Sequence, residues 1–155
     1  MPITFSFYGK LPWVGDFISR NLGVVEQELV DSWIASGFTR LQNTSSNWLE
    51  TYLTSPVWSF VLPAGVWSSS PVAGALMPSV DRVGRYFPFV TFTTLDEVVD
   101  LRRSVIEASR IASLMPDLLE YEVFPEALGS FIEGRIQNQA EPFIGESVIN
   151  IDDLL

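Results

Sequence analysis

Six charged residues could do chemistry here, and they sit in two short segments. Lys10, Asp16 and Arg20 lie in or just after Gly9-Lys-Leu-Pro-Trp-Val-Gly-Asp-Phe17. Asp81, Arg82 and Arg85 lie in Gly74-Ala-Leu-Met-Pro-Ser-Val-Asp-Arg-Val-Gly-Arg-Tyr-Phe-Pro88, among Leu76, Met77, Val80, Val83, Tyr86 and Phe87. Charges in so apolar a run are hard to read as surface decoration. Burying an ion costs several kcal/mol unless it is paired, by about the amounts seen for buried salt bridges. The arginine fork suits bidentate pairing with a carboxylate. Two readings follow: an internal ion-pair network that fixes the two loops, or side chains turned toward a partner protein.

Catalysis fits poorly. The chain has no histidine and no cysteine. That removes the commonest general base, thiolate zinc sites and disulfides. Ser79 has no histidine to activate it and no lysine close by in sequence. Lys10 follows Gly9 and precedes Leu11, which is not the four-residue spacing and Lys-Ser/Thr ending of a phosphate-binding loop. Asp152-Asp153 lacks the alternating pattern and central glycine of a calcium loop. No cofactor and no metal is expected. In the first loop Asp16 is expected to cap the turn or to pair with Lys10, Arg20 or an arginine of the second loop. Gly15 is expected to allow a positive φ or a close backbone approach.

Aromatic side chains supply the other candidates. Of the tryptophans, Trp13, Trp33, Trp48 and Trp58 read mainly as core. Trp67, beside Ser68-Ser-Ser70, is the best candidate for exposure, although core or rim packing fits it as well. Trp13, Trp67 and Tyr86 are the candidate interface anchors.

The elements that must position these residues follow from periodicity. Ile3–Tyr8 alternates and reads as a strand, as do Val57–Leu62 and Phe89–Thr93. Val72–Met77 is a continuous apolar run of the kind found in buried central strands. Val24–Gln42 reads as a helix with Val25, Leu29, Trp33, Ile34, Phe38 and Leu41 inward, and Gly37 marks a close contact. Asn47-Trp-Leu-Glu50 resembles a capping box for a short helix through Leu53. Thr94-Leu-Asp-Glu97 resembles another, opening a helix to about Leu114 with Val98, Leu101, Val105, Ile106 and Ala112 on its core face. Pro116 suits the first turn of a further helix. Glu126–Gln137 reads as a helix with Leu128, Phe131 and Ile132 inward, and Val148–Ile151 as an edge strand. The expected fold is α/β: one domain over residues 1–155, a layered sandwich with a mixed sheet flanked by helices.

Composition bounds the function. The chain has 155 residues, 47% hydrophobic, and a net charge of −10. Residues 1–90 hold six acids and five bases, whereas residues 91–155 hold thirteen acids and four bases. So acidic a second half disfavours nucleic acid and anionic membrane surfaces. It serves solubility, or offers a face to a basic protein. The N-terminus lacks a basic n-region ahead of its apolar stretch, and no apolar run approaches the length of a membrane helix. A cytoplasmic protein with no membrane insertion is expected.

The two charged segments, together with Leu49-Glu-Thr-Tyr-Leu-Thr-Ser-Pro-Val-Trp-Ser-Phe60, resemble the TagF (ImpM) family, associated with bacterial type VI secretion. The similarity runs from about Ile3 to Val90 and is vaguer through the later helices. The resemblance implies a non-enzymatic regulator that acts post-translationally as a repressor by binding a forkhead-associated-domain scaffold component. It also implies that longer relatives carry a C-terminal extension, and some a phosphatase domain whose metal-binding aspartate motifs are not found here. A small-molecule or nucleotide-binding module, with the charged loops lining a pocket for an anion, is the alternative. An assembly scaffold without a repressive role is another. The oligomeric state stays open.

Overall fold

The computed structural model describes residues 4–96 and 98–139. Five strands form one sheet: β1 (Phe5–Gly9), β2 (Ile18–Arg20), β3 (Trp58–Leu62), β4 (Val72–Met77) and β5 (Phe89–Thr94). Their order across the sheet is β2-β1-β5-β4-β3. The helices are α1 (Val24–Thr44), α2 (Trp48–Leu53), α3 (Leu101–Leu114), α4 (Asp117–Glu120) and α5 (Pro125–Gln137). The fold class is α/β, as expected, but the sheet is not mixed. Every ladder among the described residues is antiparallel. Short connections join β1 to β2, β3 to β4 and β4 to β5, and such connections suit antiparallel neighbours.

The period of two along each strand divides the core between the two faces. Phe5, Phe7, Ala75, Met77 and Phe89 point to one face and meet Ile111, Leu114, Leu128 and Ile132 of α3 and α5. Tyr8, Val72, Val90 and Phe92 point to the other and meet Val30 and Ile34 of α1. Gly74 lies at the tightest point of the second face. A Cβ there would stand 2.5 Å from the Thr91 carbonyl oxygen and 2.8 Å from the Phe60 ring.

Several sequence expectations are corrected. The helix after β5 starts at Leu101, not at Thr94; Asp100 caps it by accepting the Arg103 amide at 2.8 Å. Thr94 instead ends β5, and the Leu95 amide donates to the Pro71 carbonyl at 2.8 Å. The buried face of α3 is Ser104, Glu107, Ala108, Ile111 and Leu114. Val98 precedes the helix and is 92% exposed. In α1 only Val30 and Ile34 are buried, and Val25, Leu29 and Trp33 face outward. Gly37 marks no close contact: among the described residues, no atom outside its own helix backbone lies within 4 Å of where its Cβ would be. Asn47 makes no side-chain cap for α2; its Oδ1 accepts the Ser45 hydroxyl instead. The short strand β2 has no counterpart in the sequence reading. In α5, Leu128 and Ile132 are fully buried and Phe131 packs against them, as the spacing requires. The expected edge strand at Val148–Ile151 lies outside the described residues.

Candidate functional site

The loop after β1 and the loop between β4 and β5 lie side by side, and Asp81 joins them. The second loop is a tight reversal. Val80 and Tyr86 form an isolated antiparallel bridge, and the Gly84 amide donates to the Asp81 carbonyl at 3.1 Å. Gly84 takes φ +88°, a left-handed value that suits glycine. The Asp81 side chain then folds back over its own turn. Its Oδ1 accepts the amides of Val83 at 3.0 Å and Arg85 at 2.9 Å. Its Oδ2 accepts Nε of Arg85 at 2.7 Å and Nζ of Lys10 at 3.1 Å. A carboxylate that is 2% exposed therefore has four donors.

These contacts set its electrostatics. Burial pushes the Asp81 carboxyl up. The Arg85 amide, Lys10 and the Arg85 guanidinium outweigh that effect and hold it well below the usual carboxylate range. Both oxygens are committed and the group stays ionised near neutrality, so it cannot serve as a general acid.

Further bonds lace the two loops together. Arg85 Nη2 donates to the Gly15 carbonyl at 2.8 Å, and the Arg82 amide donates to the Val14 carbonyl at 2.9 Å. The Ser79 hydroxyl donates to the Lys10 carbonyl at 2.5 Å. Gly9 makes the junction possible. It takes φ +133°, and a side chain there would collide with the Pro88 carbonyl. Lys10 is buried, with Nζ 4.8 Å from the centre of the Phe17 ring. Phe17 stacks on Tyr8 at 5.5 Å and meets Phe87 edge-on at 4.9 Å. Tyr52, on α2, braces the second loop from behind. Its hydroxyl donates to the Ser79 carbonyl at 2.7 Å and accepts the Ser79 amide at 2.8 Å. Burial raises its pKa to about 12.

The structure thus brings Lys10, Asp81 and Arg85 into one cluster and leaves out the other three candidates. Asp16 is exposed, and among the described residues its carboxylate accepts the neighbouring Phe17 amide, at 2.8 Å, and no cation. Arg20 reaches the other way, where its Nη1 donates to the Glu126 carbonyl of α5 at 3.2 Å. Arg82 is exposed. Its guanidinium lies over Gly15, whose Cβ would be 3.1 Å from Nη2. Gly15 therefore serves a close approach, and not a positive φ.

The aromatic candidates divide as well. Trp13 is half-buried, with Nε1 donating to the Val123 carbonyl at 3.0 Å. Tyr86 is half-buried, edge-on to Tyr52 at 6.0 Å. Trp67 is not exposed: it is 3% accessible, enclosed by Trp33, Phe60 and Phe92. The exposed tryptophans are Trp33 at 52% and Trp58 at 60%. Sequence reasoning also missed Tyr52 as a brace, because nothing in the chain ties it to a residue 27 positions away.

A groove of about 740 Å³ opens beside α1, lined by Trp33, Gly37, Phe38, Tyr52, Trp58 and Leu76 among others. None of the six candidate charges lines it; its charged residue is Arg40. Among the described residues no group of three acidic, histidine or cysteine side chains could hold a metal, and no helix is long and apolar enough to cross a membrane.

The family described as "TagF N-terminal domain, Type VI secretion system-associated" matches residues 6–137. A solved structure, PA0076 from Pseudomonas aeruginosa PAO1, superposes with a TM-score of 0.74 at 38% identity. The match covers 90% of this chain and 64% of that one, so the chain spans less than two thirds of that relative. No curated protein matches.

Proposed function

The chain belongs to the TagF N-terminal domain family, associated with type VI secretion, and we propose that it regulates that system post-translationally, as a repressor that binds a forkhead-associated-domain scaffold component. It acts in the cytoplasm by occlusion and catalyses no reaction. The observation that carries this reading is the second loop. Asp81 is fixed by four donors beneath an exposed tip bearing Arg82, Val83 and the 59% exposed Arg85 side chain. A tip already rigid before binding loses little entropy on docking, and arginines around an apolar residue are common interface anchors.

The test uses the purified scaffold component and the full chain. Arg82→Glu reverses an exposed charge whose side chain makes no ion pair among the described residues. It is expected to weaken binding by about tenfold and to shift the melting temperature by no more than about 2 °C. No binding by the wild-type chain would remove the partner. Unchanged binding by Arg82→Glu would remove the loop as the contact face. Deleting the gene separates the roles: increased secretion supports a repressor, and lost secretion an assembly scaffold.

A further inference from the structure

Helix α1 carries a seam that the described residues leave uncovered. Glu26, Leu29, Trp33, Gly37 and Arg40 follow one another at spacings of three, four, four and three. Those spacings keep all five on one flank of a helix. Leu29 is 45% exposed and Trp33 52%, and Gly37 and Arg40 are exposed too. The flank borders the apolar groove, where Gly37 leaves open space. Trp33 is held edge-on against buried Trp67 at 5.6 Å, so its outer face is presented in a fixed orientation.

The spacing reads the same in either direction from Trp33. If a second α1 lies antiparallel on the first, with a two-fold axis at Trp33, each residue meets a complement. Arg40 faces Glu26 of the other copy, and Leu29 faces Gly37, each pair occurring twice. Trp33 faces its own mate. The matches are chemical as well as positional. Arg40 makes no ion pair among the described residues. Glu26 uses Oε2 to accept the Gly23 amide at 3.3 Å, which leaves Oε1 available. Leucine over glycine is a side chain set into a gap, and two indoles supply apolar contact.

We propose that two copies of this chain associate through α1 in this antiparallel, two-fold arrangement. An isologous contact of this kind closes on itself and gives a dimer, not a fibre. The seam runs only about 21 Å at about 1.5 Å per residue. So short a contact between copies of like net charge makes a weak, reversible dimer with a dissociation constant on the order of micromolar.

Sedimentation velocity on the full chain over a concentration series tests this. The wild type is expected to pass from monomer to dimer. Arg40→Glu should move that transition to at least about tenfold higher concentration. Adding Glu26→Arg to Arg40→Glu exchanges the charges across the axis and should restore it. Arg82→Glu, on the loop assigned to the secretion partner, should leave it unchanged. Because Glu26→Arg also removes a cap bond, a second measurement avoids that variant. The chain has no cysteine, so Ser36→Cys, which keeps Trp33, introduces a single thiol at an exposed position one turn from the axis, and a bismaleimide should join two copies through it. A wild type that is monomeric throughout, a dimer indifferent to Arg40→Glu, or a dimer whose Ser36→Cys form does not cross-link would each overturn the proposal.

Discussion

Asp81 decides the local structure of both loops, and its removal can be predicted with a sign. Asp81→Asn keeps an acceptor for the Val83 and Arg85 amides but leaves Lys10, buried against the Phe17 ring, without its counter-charge. At pH 7 the melting temperature should fall by roughly 10 °C. The folded pKa of Asp81 is depressed below its ordinary 3.8. Its contribution is therefore fully present above about pH 4 and is lost as the pH falls from there toward the folded value. Melts followed by circular dichroism at pH 7 and pH 3 should show the gap between wild type and variant narrowing; a constant gap would refute the linkage. Sequence singled out Asp81 because a charge in an apolar run must be paired. It did not reveal which cations would pair with it. Arg20 and Arg82 stood as candidates beside Lys10 and Arg85, and only the direction in which each side chain runs excludes them. Trp67 is packed inward, the core reading that stood beside its candidacy for exposure; the serines beside it mark a turn and say nothing of where the ring goes.

At the scale of elements, two glycines make opposite predictions. Gly74→Ala forces a methyl against the Thr91 carbonyl, Phe92 and Phe60, and should destabilise by about 2–3 kcal/mol. Gly134→Ala, in α5, where among the described residues nothing outside the helix's own backbone lies within 4 Å of the added Cβ, should stabilise by about 0.5–1 kcal/mol. Urea unfolding of both variants checks the pair. Strands β1, β3 and β5 and helix α5 were legible from pattern and residue type, and β4 from its unbroken apolar run; α1 was legible in its extent but not in its face, because Val25, Leu29 and Trp33 turn outward. Nor was the face of α3 legible. A reading by bulk favours Val105 and Ile106, but α3 lies against β4, whose facing residues are Ala73 and Ala75. Ser104 and Ala108 allow that close approach. The start of α3 went wrong where two capping signals compete, and Asp100 prevails because Thr94 is still paired to Val72 in the sheet. The missed β2 is three residues long, too short for alternation to register.

Across the whole molecule, two tyrosines tie separate parts together. Tyr8 joins β1 to α1 through Asp31 at 2.6 Å, and Tyr52 joins α2 to the second loop. Burial, with the Asp31 contact, raises Tyr8 far above its ordinary 10.0, and burial raises Tyr52 to about 12. A raised pKa adds stability that is complete below about pH 10 and is lost as the pH climbs through the folded value. The melting temperature should accordingly drop above about pH 10, and Tyr8→Phe should drop less steeply. A variant with the wild-type alkaline slope would exclude Tyr8 as the cause. The sheet order also has a consequence for how the chain is made. β1 is synthesised first, yet its neighbour β5 follows about eighty residues later, which at about 5–20 residues per second is roughly 4–16 s of translation. During that interval Phe5 and Phe7 have only the short β2 beside them. The nascent chain therefore holds out an apolar, half-paired strand to any chaperone at the ribosome exit until residues 89–94 arrive to close the sheet.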